Sequence, residues 1–502
     1  MSQNPAAATE APPAGVPAAD PKRWVALAVI AIAQLMVVLD ATIVNIAMPS
    51  AQEALHISDA NRQWIVTAYT LAFGGLLLLG GRIADYVGRR KIFLIGLIGF
   101  AFASALGGIA TNAVTLFAAR GLQGAFGALL APAALSLITV TFTDVKDRAK
   151  AFGVFGAISG VGAAIGLILG GLLTEYTTWR WCLLVNIPIA LGAFFLALPV
   201  VRESRAEGNT KYDIPGTILA TGGLVALVYA FTKAAEDGWS SGVTLALFAV
   251  AAVLLVGFVV WEARSAHPLL PLRVVLHGNR GGSFLVSVLL GAGMMGMFLF
   301  MTYYFQGTLQ YSPLKSGIAY LPFSLAIIVT AIVASGLLPK VGPRVMMTVG
   351  GVLATAGMAW LTQLRIDSSY ATLILPALVI MAVGMGLVFV PLGNTALTGV
   401  SNRDAGVASA MVNTTQQIGG SLGVALLNTV FTNAVADYVT ENGPDQTPLG
   451  VVHGYNVAFT VSAVLLAASA LLIFLMIRNV RTPVGTTAGG VDAPAPVAVH
   501  VG

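Results

Sequence analysis

Long apolar stretches separated by short polar ones fill the chain from residue 24 to residue 478. The first, WVALAVIAIAQLMVVLDATIVNIAMP over 24–49, exceeds the roughly 20 apolar residues that cross a bilayer. Thirteen more follow, at about 61–80, 92–110, 113–142, 149–174, 181–201, 213–232, 243–263, 280–307, 314–337, 344–363, 370–395, 405–434 and 455–478. None shows the ten-residue alternation of a barrel strand. They predict α-helices, because a chain exposed to lipid must satisfy its own backbone hydrogen bonds. The expected fold class is an all-α polytopic membrane protein.

The polar connections carry the orientation signal. With the N-terminus inside, twenty of the 26 Lys and Arg residues fall on the inner side and five on the outer, leaving Arg120 within a span. That asymmetry places both termini in the cytoplasm. The longest outer connection, about 435–454, holds Asp437, Glu441 and Asp445 and no Lys or Arg. Residues 1–21 and 482–502 are rich in Ala, Pro and Gly and read as disordered tails. Between them the pattern divides into six spans (22–201), a linker with two spans (202–279) and six more spans (280–481). Two homologous six-helix bundles with an inserted hairpin are expected.

Composition narrows the chemistry. Charged residues make up 9% and hydrophobic ones 57%, against about 25% charged in soluble domains. The net charge of +5 reflects loop positions, so nucleic acid is not an expected partner. One cysteine, Cys182, excludes an intrachain disulfide and a cysteine-rich metal site. Neither a metal nor a cofactor is expected. GAGMMG (291–296) fits a dinucleotide fingerprint, but inside a span with no strand before it. GGSLG (419–423) fits a nucleophile elbow without the strand–turn–helix it needs. All five His residues lie outside the spans and there is no P-loop, which argues against an intramembrane enzyme or direct use of ATP.

Two charges lie at membrane depth, where they are expensive and mark function. Asp40 is eight residues before Met48, roughly 12 Å from the outer end of its helix. Arg120 is seven residues after Ala113, roughly 10 Å from the same end. At matching depth the two can interact. A permanent pair would only lock two helices. A pair that separates during transport would change the proton affinity of Asp40 and couple transport to protons.

Several segments resemble the major facilitator superfamily, and within it the fourteen-span drug:proton antiporters of the EmrB/QacA type. GGRIADYVGRRK (80–91) resembles the superfamily's loop signature through Gly81, Asp85, Gly88, Arg89 and Arg90, with a weaker echo in GLLPKVGPR (336–344). LDATIVNIAMP (39–49), RGLQG (120–124), WRWCLLVNIP (179–188), YFQGTLQYSPLKSGIAYLP (304–322) and GVASAMVNTTQQIGGSLG (406–423) resemble the antiporter family. So do the glycines of the fifth span, Gly153, Gly162, Gly166, Gly170 and Gly171, although Leu167 stands where that family usually has Pro.

The resemblance implies export of amphipathic or cationic toxic compounds in exchange for protons, by a monomer in the cell membrane. An exporter of one cell-made metabolite, such as an antibiotic, fits equally. Under either, Asp40 and Arg120 are the expected proton-coupling residues. The loop signature would gate the cytoplasmic side, with Asp85 facing the start of the thirteenth span near residues 404–407. Gln34, Asn45, Gln123, Asn413, Gln416 and Gln417 are polar candidates for a substrate cavity, beside Thr414 and Thr415. Met301 and Tyr304, within the Met- and aromatic-rich stretch 291–306, are candidates for a soft apolar wall.

Overall fold

A computed structural model describes residues 22–142, 144–205, 213–266, 268, 270, 275–397 and 405–478, except for the side chains of some helical positions, most of them within 145–163 and 405–410. The chain folds into α1 Arg23–Ala54, α2 Trp64–Val87, α3 Arg89–Gly108, α4 Ala113–Thr141 and α5 Val145–Tyr176. Next come α6 Trp181–Val200, α7 Ile214–Asp237, α8 Gly242–Arg264 and α9 Gly278–Tyr303. The last five are α10 Pro313–Val341, α11 Pro343–Leu361, α12 Leu375–Leu397, α13 Ala405–Asn442 and α14 Thr447–Met476. Among the described residues twelve helices are long and apolar enough to cross a membrane; α2, bent by 54° between Trp64–Leu77 and Leu79–Val87, makes a thirteenth. The 32-residue α5 has a shorter described apolar part, Ala164–Tyr176.

Helix starts follow local chemistry. Asn112, Ser312 and Asp213 each accept a hydrogen bond from a backbone N–H three residues on, satisfying a donor that the first helical turn leaves open. Successive helices alternate in direction. At one face, the tail face, the start of α1 meets the start of α5 through Arg23–Asp147 at 2.7 Å, and Asn279 of α9 bonds Arg478 after α14. At the opposite, far face, the α1–α2 turn meets the end of α7 through Asn61 and Glu236 at 2.8 Å.

α1–α6 pack chiefly on one another, and so do α9–α14, as two bundles. The inserted α7 lies along the seam between them. Gln63 of the first bundle donates to Thr232 at 2.7 Å, and Thr429 of the second donates to the Phe231 carbonyl at 2.8 Å. Leu71, Leu224, Val228 and Ala425 pack together around this junction. α8 covers the outside of α7 and turns Val243, Leu245, Val250, Val253 and Val256 outward.

One expectation is corrected. The stretch 435–454 is not an open connection: α13 continues to Asn442 and α14 begins at Thr447. Gly443, at φ +92°, makes the turn between them. The polar residues there sit on exposed helix surface, where helical hydrogen bonds persist without an apolar side chain to signal them.

Candidate functional site

Asp40 on α1 and Arg120 on α4 form an ion pair, Nη1 to Oδ2 at 2.7 Å, with side chains 0% and 1% exposed. Two amides complete the carboxylate's shell. Asn186 Nδ2 on α6 donates to Oδ1 at 2.7 Å and Gln123 Nε2 at 3.0 Å. Gln123 also donates to Ser104 of α3 at 2.8 Å, and its Oε1 accepts from Arg120 at 2.8 Å. Arg120 Nε donates to the Ile65 carbonyl at 2.9 Å, and its guanidinium carbon stands 4.5 Å from the centre of the Tyr69 ring. Five helices of one bundle thus join one network, in which α4 and α6 bond the carboxylate of α1 and α2 and α3 hold its partners. Charge-assisted bonds of this kind are the strong ones. Toward the far face the pair is bounded by a void of about 10 Å³ among Ile65, Leu116, Cys182 and Leu183, room for about one water.

Asn186, Ser104 and Tyr69 did not stand out in the sequence. Asn186 lies in the family-like stretch 179–188, and its place in a span was the one signal available. Gln123, a cavity candidate, is fully buried in the ion-pair network. Asn45 is buried too, with Nδ2 directed back to the Ala41 carbonyl. Met301 and Tyr304 are fully buried, and Tyr304 bonds the Arg365 carbonyl. None of these four faces open space in this conformation. Gln34, Gln416 and Gln417 are half-buried and Asn413 is exposed. Gln417 packs on Gly74 of α2, where a Cβ would lie 3.0 Å from its own.

The α5 glycines have two partners. Gly162, Gly166 and Gly170 let α5 lie against α1: a Cβ on Gly166 would collide with Thr42 Oγ1 and meet the Leu39 carbonyl at 3.1 Å, one residue from Asp40. Gly171 faces the other bundle, where a Cβ would meet Leu314 Cα at 2.6 Å. The surroundings of Gly153 lie outside the described residues. α5 passes Leu167 without a break.

The far face is closed by bonds between the bundles. Tyr303 donates to Gln52 Oε1, Gln306 to the Ile46 carbonyl at 2.9 Å, and Arg62 Nε to Asn428 Oδ1 at 3.1 Å. The Leu314 N–H donates to Glu175 at 3.0 Å.

At the tail face Gly88, at φ +126°, makes the turn between α2 and α3. Asp85 pairs with Arg89 at 2.8 Å. Arg90 Nη2 donates to the Leu198 carbonyl at 2.7 Å. The Glu203 carboxylate accepts from the Arg90 and Lys91 N–H groups at 3.1 Å each, capping α3. Gly81 faces Pro132 of α4. Of the partner expected for Asp85, near residues 404–407, residue 404 and the side chains of 405–407 lie outside what the structure describes. Gly88→Ala would put its Cβ 2.7 Å from Glu203 Oε1 in a backbone conformation L-residues avoid. It should destabilise the protein by about 1–3 kcal/mol, read as a lower melting temperature; an unchanged one would show that the turn relaxes.

Two helical bundles of membrane-length helices, bonded to each other at one face and with a sealed ion pair within one of them, form the architecture of a multi-pass membrane transporter. The chain belongs to the major facilitator superfamily, whose family model matches residues 30–424. It is 50% identical over 481 residues, 95% of each chain, to a puromycin resistance protein of Streptomyces alboniger. It is 38% identical over 451 residues to a cephamycin export protein of Amycolatopsis lactamdurans, covering 89% of this chain and 91% of that one. Among solved structures, a bacterial homologue of the human lysosomal transporter Spinster, inward-facing and unoccupied, matches with a TM-score of 0.65 at 16% identity over 91% of this chain and 97% of that one. That likeness bears on the fold alone.

Proposed function

We propose that the protein exports amphipathic or cationic small molecules, antibiotics among them, in exchange for protons. It works as a fourteen-span monomer in the cell membrane, with the tail face and both termini in the cytoplasm. The observation that carries this reading is the sealed Asp40–Arg120 pair. A carboxylate that meets a guanidinium in one state and loses it in another takes up and releases a proton once per cycle. The arrangement of Gly166 and Gly170 against the Asp40 stretch of α1 supports a link between bundle movement and the pair. One proton crossing about 100 mV supplies about 2.3 kcal/mol, and one pH unit adds about 1.4 kcal/mol. For a neutral substrate the two together sustain a gradient of several hundred-fold; for a monovalent cation, one-for-one exchange moves no net charge and the pH unit alone sustains about tenfold.

A narrower reading, export of a single antibiotic, is favoured by relatives named for puromycin and cephamycin. The two are separated by growth inhibition and efflux in cells expressing this chain, using puromycin, ethidium and a β-lactam with and without a protonophore. Broad protonophore-sensitive efflux is the expected result, and protection against one compound alone selects the narrow reading. With the protein present in the membrane, protection that survives the protonophore excludes proton coupling.

A further inference from the structure

Arg62, in the turn between α1 and α2, is inserted into an aromatic cage built by the other bundle. Its guanidinium carbon lies 4.1 Å from the Tyr303 ring centre, 4.7 Å from Phe431 and 5.9 Å from Phe300. Phe300 and Phe431 stack at 5.2 Å, and Tyr455 backs Phe431 at 5.1 Å. The residue is 3% exposed. Its hydrogen bonds are sparse for a buried guanidinium: Nε to Asn428, Nη1 to Asp59 at a long 3.4 Å, and none from Nη2. The aromatic faces therefore supply much of what replaces its hydration, as cation–π contacts do when water is excluded.

The division of parts matters. The cation comes from the α1–α2 turn, and the rings come from α9, α13 and α14. Any opening of the far face withdraws Arg62 and leaves the rings lining the opened cleft. A ring cage with no carboxylate of its own selects a large, weakly hydrated organic cation and disfavours an anion.

We propose that the Tyr303–Phe431–Phe300 cage is an organic-cation site on the exit path, held by Arg62 while the far face is closed and by cationic substrate when it is open. This rests on the export reading above and adds to it a substrate charge and an order of events. The two occupants exclude each other, so the far face recloses only after the substrate has left. Arg62 is tethered, hence present at high effective concentration, and it expels the substrate as the face closes.

The test uses the full chain in lipid nanodiscs and two probes of one shape and opposite charge, tetraphenylphosphonium and tetraphenylborate. Arg62→Gln is expected to tighten tetraphenylphosphonium binding by about tenfold and to leave tetraphenylborate unchanged. Phe431→Leu and Tyr303→Leu, added to Arg62→Gln, are expected to remove the gain. Arg62→Lys keeps a cation at the site and should stay near the wild type, which guards against misfolding as the cause. The proposal is overturned if Arg62→Gln leaves tetraphenylphosphonium affinity unchanged, if both ions gain equally, or if the gain survives loss of the rings. The expected binding pattern in a chain that moves no cation would overturn the export reading alone. Normal cation export with no gain in Arg62→Gln would overturn the cage alone.

Discussion

Asp40→Asn is expected to abolish proton-driven export while the protein still reaches the membrane. The carboxylate accepts from Arg120 on one oxygen and from Asn186 and Gln123 on the other. An asparagine has one acceptor for these three donors and turns its NH₂ against the rest. It also leaves Arg120 buried without a counter-charge, which costs about 3–5 kcal/mol. A fall in melting temperature is therefore expected together with the loss of transport, and the two must be separated. Adding Arg120→Gln removes the unpaired charge, so Asp40→Asn/Arg120→Gln should recover much of the stability and none of the proton coupling. Efflux of a transported drug, driven by an imposed pH gradient in vesicles, reads this directly. Uphill transport at the wild-type rate by either variant would make the pair a structural lock between α1 and α4 and nothing more.

Gly171→Ala is expected to hold the far face open. A Cβ at Gly171 would meet backbone of the opposite bundle, Leu314 Cα at 2.6 Å and the Pro313 carbonyl at 2.7 Å. Backbone cannot rotate away, so the bundles must separate there. Overpacking of this kind costs about 1–3 kcal/mol, enough to shift a two-state equilibrium by roughly ten- to a hundred-fold. Spin labels at Glu53 and Glu441, exposed positions on the two bundles at that face, should show a longer distance, and export should fall about tenfold or more. Gly162→Ala is the contrast. Its Cβ would meet the Leu35 and Val38 side chains at 3.0 and 3.3 Å, which can yield, and little change is expected. Identical distance distributions in wild type and Gly171→Ala would remove Gly171 from the closure.

The tail-face loop shows how a motif and its setting differ. Gly88 was legible because GGRIADYVGRRK, between two spans, resembles the superfamily's loop signature. Glu203, which caps α3 there, was not, because a lone Glu more than a hundred residues away carries no local signal. Asn186 and Ser104 escaped for the same reason. A polar residue in a span announces itself as costly, but its partner is set by how helices distant in sequence rotate against each other. Arg62 was read as one of a few outer-side charges. Only the assembled bundles turn it into the guest of an aromatic cage.

The sequence alone was enough for an all-α chain of membrane-length apolar helices with two charges among them, although twelve or thirteen of the fourteen expected spans reach that length among the described residues. Those follow from the bilayer, which imposes a length and a hydropathy on every crossing segment regardless of its neighbours. It also placed glycines on α5 without saying what they face. The tertiary structure decided that Gly166 and Gly170 meet α1 while Gly171 meets α10, that Gln123 belongs to the ion pair, and that α7 lies along the seam between the bundles. These depend on helix rotation and on contacts between the two halves. Such contacts are set by shape and by hydrogen bonds across hundreds of residues, which no periodicity along the chain encodes.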